Sequence, residues 1–198
     1  MRDSQLQVLG VVGSLNQNSV TRVVIQHVAH ALTALECHVD VFDPLAEQLP
    51  LFNPDSSYGA AGYDALQKRV SAADVFLLGT PDYHGSISST LKNFLDHFWQ
   101  EFAGKLFATV VSSHEKGLTV TDQLRTVARQ CYAWSLPYGV SFVDREDVKD
   151  GVVTGEAVKK RLEMMVHDIK HYGRLLAEQR VRDLNGNDPG FMAKHRSK

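Results

Sequence analysis

The sequence predicts a doubly wound α/β fold, in which helices cover both faces of a five-stranded parallel sheet. Five short apolar runs alternate with five helical patterns along the chain, and this alternation favours parallel strands joined by right-handed crossovers. A chain of 198 residues with 43% hydrophobic residues has the size and apolar content of one domain. We expect the strand order 2-1-3-4-5, which places the switch point of the sheet beside the first strand.

Each predicted strand is a short apolar run of the kind that is buried on both faces of a parallel sheet. The first run is stopped by Gly13, the second by Asp43 and Pro44, and the third ends in Gly79. The fourth reads L-F-A-T-V-V-S, and the fifth is the weakest of the set. The predicted strands cover residues 6–12, 37–42, 74–79, 106–112 and 138–143.

The predicted helices carry apolar residues near a 3.6-residue period, as helices packed on a sheet require. Val20, Val28 and Leu32 follow this period in the first helix, and Thr154 is the expected N-cap of the last. Residues 44–62 contain three prolines and two glycines, which predict a long irregular connection. The predicted helices cover residues 20–35, 63–72, 91–102, 120–132 and 157–178.

Composition excludes several classes of protein. A net charge of -2 with mixed signs gives no basic stripe for nucleic acid, and no apolar stretch approaches the ~20 residues that span a bilayer. Cys37 and Cys131 lack C-x-x-C spacing, so neither a disulfide framework nor a zinc site is expected. The helical histidines, His167 and His171 among them, form no ligand-like cluster in the sequence, and no metal site is predicted. The N-terminus shows no signal-peptide pattern, which predicts a cytoplasmic protein.

Domain organisation is expected to be simple. We predict one domain over residues 1–180 and a polar tail over 181–198 that is disordered or packs on a partner subunit. Phe94, Phe98 and Phe102 repeat every four residues, with Trp99 beside them. Core packing explains part of this stripe, and we hypothesise that Trp99 and its neighbours contribute to a subunit interface.

Three loops should meet at the carboxyl edge of the sheet, because they follow the first, third and fourth strands. The loop at 13–19 contains small polar residues and leads into a helix, whose free amides and dipole favour a phosphate. The loop at 79–86 combines a sharp turn with an aromatic side chain, which suits a flat ring. The third loop, 112–117, is again small, polar and glycine-bearing. A phosphate together with an aromatic ring predicts a nucleotide site.

Two of these loops carry a family resemblance. Residues 79–96, G-T-P-D-Y-H-G-S-I-S-S-T-L-K-N-F-L-D, resemble the flavin loop of the NADPH-dependent FMN reductase family, roughly G-T-P-x-Y-N-x-S-x-P-G-x-L-K-N-x-[IL]-D. Residues 13–22, G-S-L-N-Q-N-S-V-T-R, are similar to its G-S-x-R-x-x-S-x-N-R. The resemblance implies a flavodoxin-like fold, bound FMN, and NADPH or NADH as electron donor. It also implies a homodimer or homotetramer and a small acceptor, such as a flavin, quinone, azo compound or metal oxyanion.

The resemblance also assigns candidate binding residues. At the phosphate end it implies Ser14, Asn16, Ser19, Val20 and Thr21. Along the isoalloxazine and ribityl side it implies Pro81, Asp82, Tyr83, His84, Gly85 and Ser86. At the other edge, by position in the third loop, it implies Ser113, His114 and Gly117. No catalytic nucleophile or base is predicted, because the cofactor carries the chemistry.

Three positions depart from the family pattern. Asn16 stands where the family usually has Arg, which removes a permanent cation and predicts weaker binding of FMN or of a phosphate-bearing nucleotide. Ser88 and Ser89 replace Pro-Gly, so the turn keeps its N-cap chemistry and loses some rigidity. His84 replaces Asn, and it is either a contact to the flavin or a solvated loop side chain.

Three functions stay open at this point. The first is an oxidoreductase in which FMN takes a hydride from NADPH or NADH and passes electrons to a second substrate. The second is a flavodoxin-type electron carrier or flavin-binding sensor, although the chain lacks a T-x-T-G-x-T phosphate loop and a strongly acidic face. The third is a family member that has lost its flavin, which Asn16 and the altered 88–89 turn keep open.

Overall fold

The computed structural model describes residues 5–196. Residues 1–4 of the predicted domain and 197–198 of the predicted tail lie outside this range. Eight strands and five α-helices are numbered here in chain order. The strands are β1 Gln7–Val12, β2 His38–Phe42, β3 Val75–Pro81, β4 Leu106–Ser112, β5 Trp134–Ser135, β6 Val140–Phe142, β7 Val148–Lys149 and β8 Val152–Val153. The helices are α1 Val20–Ala34, α2 Tyr63–Ala72, α3 Ser89–His97, α4 Leu118–Gln130 and α5 Glu156–Asn185. None of these helices is long and apolar enough to cross a membrane.

The main sheet has the predicted parallel order, β2-β1-β3-β4-β5. Its fifth position differs from the prediction, because two short strands, β5 and β6, both pair with β4 in place of one strand at 138–143. Pro137 has no amide hydrogen to donate to the ladder between them. A Cβ at Gly139 would lie 2.7 Å from the Thr109 hydroxyl, so the backbone passes β4 closely there. β7 and β8 form a separate antiparallel pair before α5.

Apolar side chains fill both faces of the sheet. One cluster joins α1 and α5 to the sheet, and the other joins α2, α3 and α4. Phe94, Phe98 and Phe102 are all at most 1% exposed, so the whole phenylalanine stripe is core. Trp99 is 53% exposed. Helix α3 ends at His97, and a short 3₁₀ turn at Gln100–Phe102 replaces the predicted continuation to 102. The phenylalanines are therefore unavailable to the hypothesised interface, whereas Trp99, just after the end of α3, is accessible.

The C-terminal segment packs on its own chain. Helix α5 continues past residue 180 to Asn185, and a 3₁₀ turn follows at Phe191–His195. Met192 is 2% exposed, and the Phe191 ring stacks on Tyr132 with ring centroids 6.1 Å apart. These apolar side chains hold the segment against the end of α4 and the edge strand β5.

Candidate functional site

The first loop leaves the sheet at the switch point between β1 and β3. The Gly13 amide donates to the Gly79 carbonyl at 2.8 Å, and a Cβ at Gly13 would lie only 2.5 Å from that oxygen. The buried Ser88 hydroxyl donates to the Gly13 carbonyl at 2.6 Å. Only glycine fits where the first loop begins. The hydrogen bond from Ser88 joins the start of α3 to this loop.

Small hydroxyl side chains and helix amides lie where the sequence predicts a phosphate. Ser14, Ser19 and Thr21 are at most 6% exposed. The Ser19 side chain caps α1 by accepting from the Arg22 amide at 3.3 Å. Within residues 5–196, no acceptor engages the amides of Val20 and Thr21, which precede the first intrahelical hydrogen bond. Hydroxyls and free amides at a helix N-terminus suit a phosphate group.

Arg22 supports this loop from outside, a role that the sequence analysis did not assign. Its guanidinium donates to the carbonyls of Asn16 at 2.9 Å and Gln17 at 3.2 Å, and it forms an ion pair with Asp43. Burial opposes ionisation of Asp43, but hydrogen bonds from Arg22 and the Leu45 amide hold the pKa of that carboxyl below its ordinary value. The family motif contains this arginine, so a sequence signal for it existed.

The second loop contains a tight turn. The amides and carbonyls of Tyr83 and Ser86 bond each other at 3.0 and 3.1 Å. Both residues between them have positive φ, 59° at His84 and 75° at Gly85, as type I′ turns require. Asn and His tolerate the left-handed region better than most residues. The backbone therefore explains why His84 occupies the position of a family Asn, and its exposed side chain lines neither cleft described below.

Asp82 and Gln123 hold the turn in place. The Asp82 carboxylate accepts from the Gly85 amide at 2.8 Å and from the Ser113 hydroxyl at 2.9 Å, which joins the second loop to the third. Gln123, on α4, accepts from the Ser86 hydroxyl and the Ile87 amide, both at 3.1 Å. Gln123 carries no motif signal, because it reaches the turn only through the packing of α4.

Two adjoining clefts open along these loops. The smaller has a volume of about 170 Å³ and the larger about 890 Å³. They share Asp82, Ser113 and His114. The smaller is also lined by Ser14, Asn16, Asn18, Ser19, Val20, Thr21, Pro81, Tyr83, Ser112 and Asp144. The larger is also lined by Gly85, Glu115, Lys116, Gly117, Leu118 and Thr119.

The structure places most predicted site residues around these clefts. Of the predicted set, only His84 and Ser86 are missing from both linings. Asp144 was assigned to no site by the sequence analysis, and it reaches the small cleft from the loop after β6. The two ends of the predicted site therefore form one continuous surface, from the N-terminus of α1 to the N-terminus of α4.

The donor set fits a phosphate through neutral hydrogen bonds. Among the described residues that line the small cleft there is no lysine or arginine, while Asp82 and Asp144 supply carboxyl groups. Arg22 is 14% exposed and engaged by Asp43. Lys116 lines only the larger cleft. A phosphate at this end would have its charge compensated by hydroxyl and amide donors.

The family model of the NADPH-dependent FMN reductases matches residues 6–147. The chain belongs to this family. Its enzyme class is that of an NAD(P)H-dependent FMN reductase, and the description of the family names the cofactor and donor that the sequence resemblance implied. The predicted family, fold class and enzyme class are confirmed.

Individual relatives of this FMN reductase agree with that placement. An NADPH azoreductase from Bacillus sp. (strain OY1-2) is 31% identical over 156 residues, covering 77% of this chain and 84% of the relative. An FMN-dependent NADPH-azoreductase from Staphylococcus haemolyticus (strain JCSC1435) is 30% identical over 146 residues, covering 69% and 76%. The apo structure of an NADH:FMN oxidoreductase superposes with a TM-score of 0.70 at 17% identity, covering 85% and 90%, which supports the fold.

Proposed function

We propose that FMN binds across the two adjoining clefts, with its phosphate in the smaller and its ring along the larger, and that the protein reduces a small acceptor there with NADPH or NADH. The observation that carries this proposal is the shared wall of Asp82, Ser113 and His114. It joins a phosphate-sized recess at a helix N-terminus to a cleft with room for a ring and a second molecule.

Bound FMN would supply hydride acceptance from the nucleotide and electron donation to the acceptor. The chain's part is to bind and orient. Ser14, Ser19 and the first amides of α1 would hold the phosphate, and Tyr83, which is 57% exposed, would offer a planar wall. The Asp82 contacts to Gly85 and Ser113 keep the loops at a fixed separation, which limits the positions that a ring can take.

The neutral phosphate end supports an exchangeable cofactor. Asn16 replaces the usual arginine, and two carboxyl groups lie beside the cleft. We therefore expect FMN to bind less tightly than at a family site that has the arginine. Azo compounds are the acceptors that we propose first, since the names of two relatives specify azoreductase activity. Flavins, quinones and metal oxyanions complete the candidate set.

The first experiment is an anaerobic visible spectrum of the protein mixed with equimolar FMN, desalted, and titrated with NADPH and then NADH. A retained flavin band that one nucleotide bleaches would support the proposal and identify the donor. A retained band that neither nucleotide bleaches would favour a carrier or sensor. If FMN neither survives desalting nor turns over when supplied free with NADPH or with NADH, the proposed function is wrong.

A matched pair of variants locates the cofactor. Ser14→Ala removes a buried hydroxyl that lines the small cleft, and Ser89→Ala removes an exposed hydroxyl on α3. Loss of one hydrogen bond of about 1 kcal/mol should weaken FMN binding roughly fivefold in the first variant. The second should bind FMN like the parent protein in a fluorescence titration. Equal affinities would place the phosphate elsewhere.

We also propose a homo-oligomer, a dimer or tetramer, in which the exposed Trp99 takes part in the interface. Sedimentation of the parent protein and of Trp99→Ala at micromolar concentration tests this, and a monomeric parent would contradict it. The cytoplasmic location stays a prediction, which cell fractionation would check.

A further inference from the structure

Two histidines lie one helical turn apart on the outer surface of α5. His167 and His171 have the i, i+4 spacing that puts two side chains on one face of a helix. Their ring centroids are 4.2 Å apart, with 39° between the ring planes. Both residues are exposed, and the His167 side chain is 67% accessible.

A carboxylate orders the first of these rings. The His167 Nδ1 lies 3.2 Å from Asp168 Oδ1, and an ionised carboxylate only accepts hydrogen bonds. The hydrogen therefore sits on Nδ1, which leaves the Nε2 lone pair of His167 available as a ligand. Metal-binding histidines in proteins use this arrangement, in which a carboxylate fixes the tautomer and raises the basicity of the ring.

Asp168 is itself held in position. The Tyr138 hydroxyl donates to Asp168 Oδ2 at 2.7 Å, and the Asp168 side chain is only 18% exposed. Burial, followed by the contact with Asp168, raises the pKa of the Tyr138 hydroxyl, so it stays a donor to the carboxylate under ordinary conditions. The chain from Tyr138 through Asp168 to His167 thus fixes one imidazole beside a second.

We propose that His167 and His171 form a two-imidazole site for a divalent transition-metal ion such as Ni²⁺, Cu²⁺ or Zn²⁺. Imidazole suits these ions, and two neutral nitrogens with water in the other positions give a labile site. Among the described residues, no group of three or more histidine, cysteine, aspartate or glutamate side chains could hold a metal, so the two imidazoles would be the protein ligands and water would complete the coordination. None of these residues lines either flavin cleft, so the site is separate from the proposed reaction.

Neighbouring charges on α5 leave room for a cation. Arg174, which is close in sequence to His171, is paired with Glu178 at 3.3 Å. Glu163 lies one turn before His167 and adds negative charge on that side. Lys170, which precedes His171, forms no ion pair with any residue in the range 5–196, and its flexible ammonium can turn to water.

Calorimetric titration of the untagged protein with NiCl₂ tests the site. We expect one ion per chain for the parent, and loss of that binding in both His167→Gln and His171→Gln. Asp168→Asn should keep both rings and weaken binding about 10- to 100-fold, the range found for carboxylate partners of metal-binding histidines. His30→Gln is the control, since His30 is an exposed histidine on α1, three residues after His27.

Melting temperatures measured without metal separate binding from folding. Because both imidazoles are exposed, their removal should leave the melting temperature of the metal-free protein unchanged. Absence of Ni²⁺ binding by the parent, or retention of binding in both histidine variants, would overturn the proposal. Loss of binding in His30→Gln alone would assign the ion to α1 and would equally overturn it. Flavin reduction is not part of the readout, so the result is independent of the proposed function.

Discussion

Ser88 holds the first loop and the third helix together, and its replacement by alanine should be costly. Its hydroxyl donates to the Gly13 carbonyl at 2.6 Å and accepts from the Leu91 amide at 3.1 Å. Ser88 is 2% exposed, so water cannot easily replace either contact. Ser88→Ala would remove the N-cap of α3 and leave the buried Gly13 carbonyl of the first loop without that donor.

The magnitude follows from these two losses. An N-cap serine contributes about 1 kcal/mol, and a buried polar group deprived of its partner costs about 1–3 kcal/mol. We therefore expect Ser88→Ala to lower the free energy of unfolding by about 3 kcal/mol. FMN binding should weaken as well, because the loop that starts at Gly13 loses an anchor.

Urea unfolding followed by circular dichroism measures the effect. Ser89→Ala is the matched control, since Ser89 is the exposed first residue of α3 and loses only a solvated hydroxyl. Its free energy of unfolding should stay within about 0.5 kcal/mol of the parent value. If the two variants unfold at the same urea concentration, the buried hydroxyl does not link the loop to the helix and the reasoning is refuted.

Three further predictions concern charge, backbone and cofactor affinity. Burial, and then repulsion by Arg180, lowers the pKa of Lys105 from 10.5 to about 7. Between about pH 7 and 10.5 the unfolded chain therefore binds more protons than the folded chain, and over this range the free energy of unfolding should rise with pH by up to about 1.4 kcal/mol per unit. In Lys105→Met, the free energy of unfolding measured in urea at several pH values should lack this rise. If it rises with pH in parallel with that of the parent protein, the prediction is wrong. Gly117→Ala places a Cβ on a residue with left-handed backbone at φ 58°, 2.9 Å from Val111 Cγ1. It should lower the free energy of unfolding by at least about 1 kcal/mol, measured by thermal unfolding. Gly59→Ala is the control and should not lower it, because no heavy atom lies within 4 Å of its Cβ position. Asn16→Arg should tighten FMN about tenfold and leave riboflavin unchanged in fluorescence titrations, and an equal gain for both ligands would exclude a phosphate contact.

The residue patterns were sufficient for the fold class and for most of the residues that line the two clefts. Parallel strands of a doubly wound sheet are buried on both faces, so their apolar runs are readable without tertiary information. The order of the sheet then brings the carboxyl ends of β1, β3 and β4 together. Ser14, Ser19 and Gly85 could be placed at the clefts in advance, because each lies in a motif that directly follows a strand.

Other features depended on contacts between residues far apart in the chain. The Asp82–Ser113 bond spans 31 positions, and the contact of Gln123 with Ser86 spans 37. Nothing in the local sequence around Gln123 or Asp144 indicates that either reaches the site. Hydrophobic periodicity reports only which side of a helix or strand is buried.

The sequence by itself therefore determined the parallel sheet, the three loops at its edge and the family, because these depend on local periodicity and contiguous motifs. The tertiary structure decided which side chains meet. It divided the fifth strand at Pro137 and Gly139, held Arg22 on the carbonyls of the first loop outside the small cleft, and placed His84 in a left-handed turn. It also packed the C-terminal turn against Tyr132. Each of these outcomes is set by a partner that lies elsewhere in the chain or by the backbone angle that the packed turn imposes.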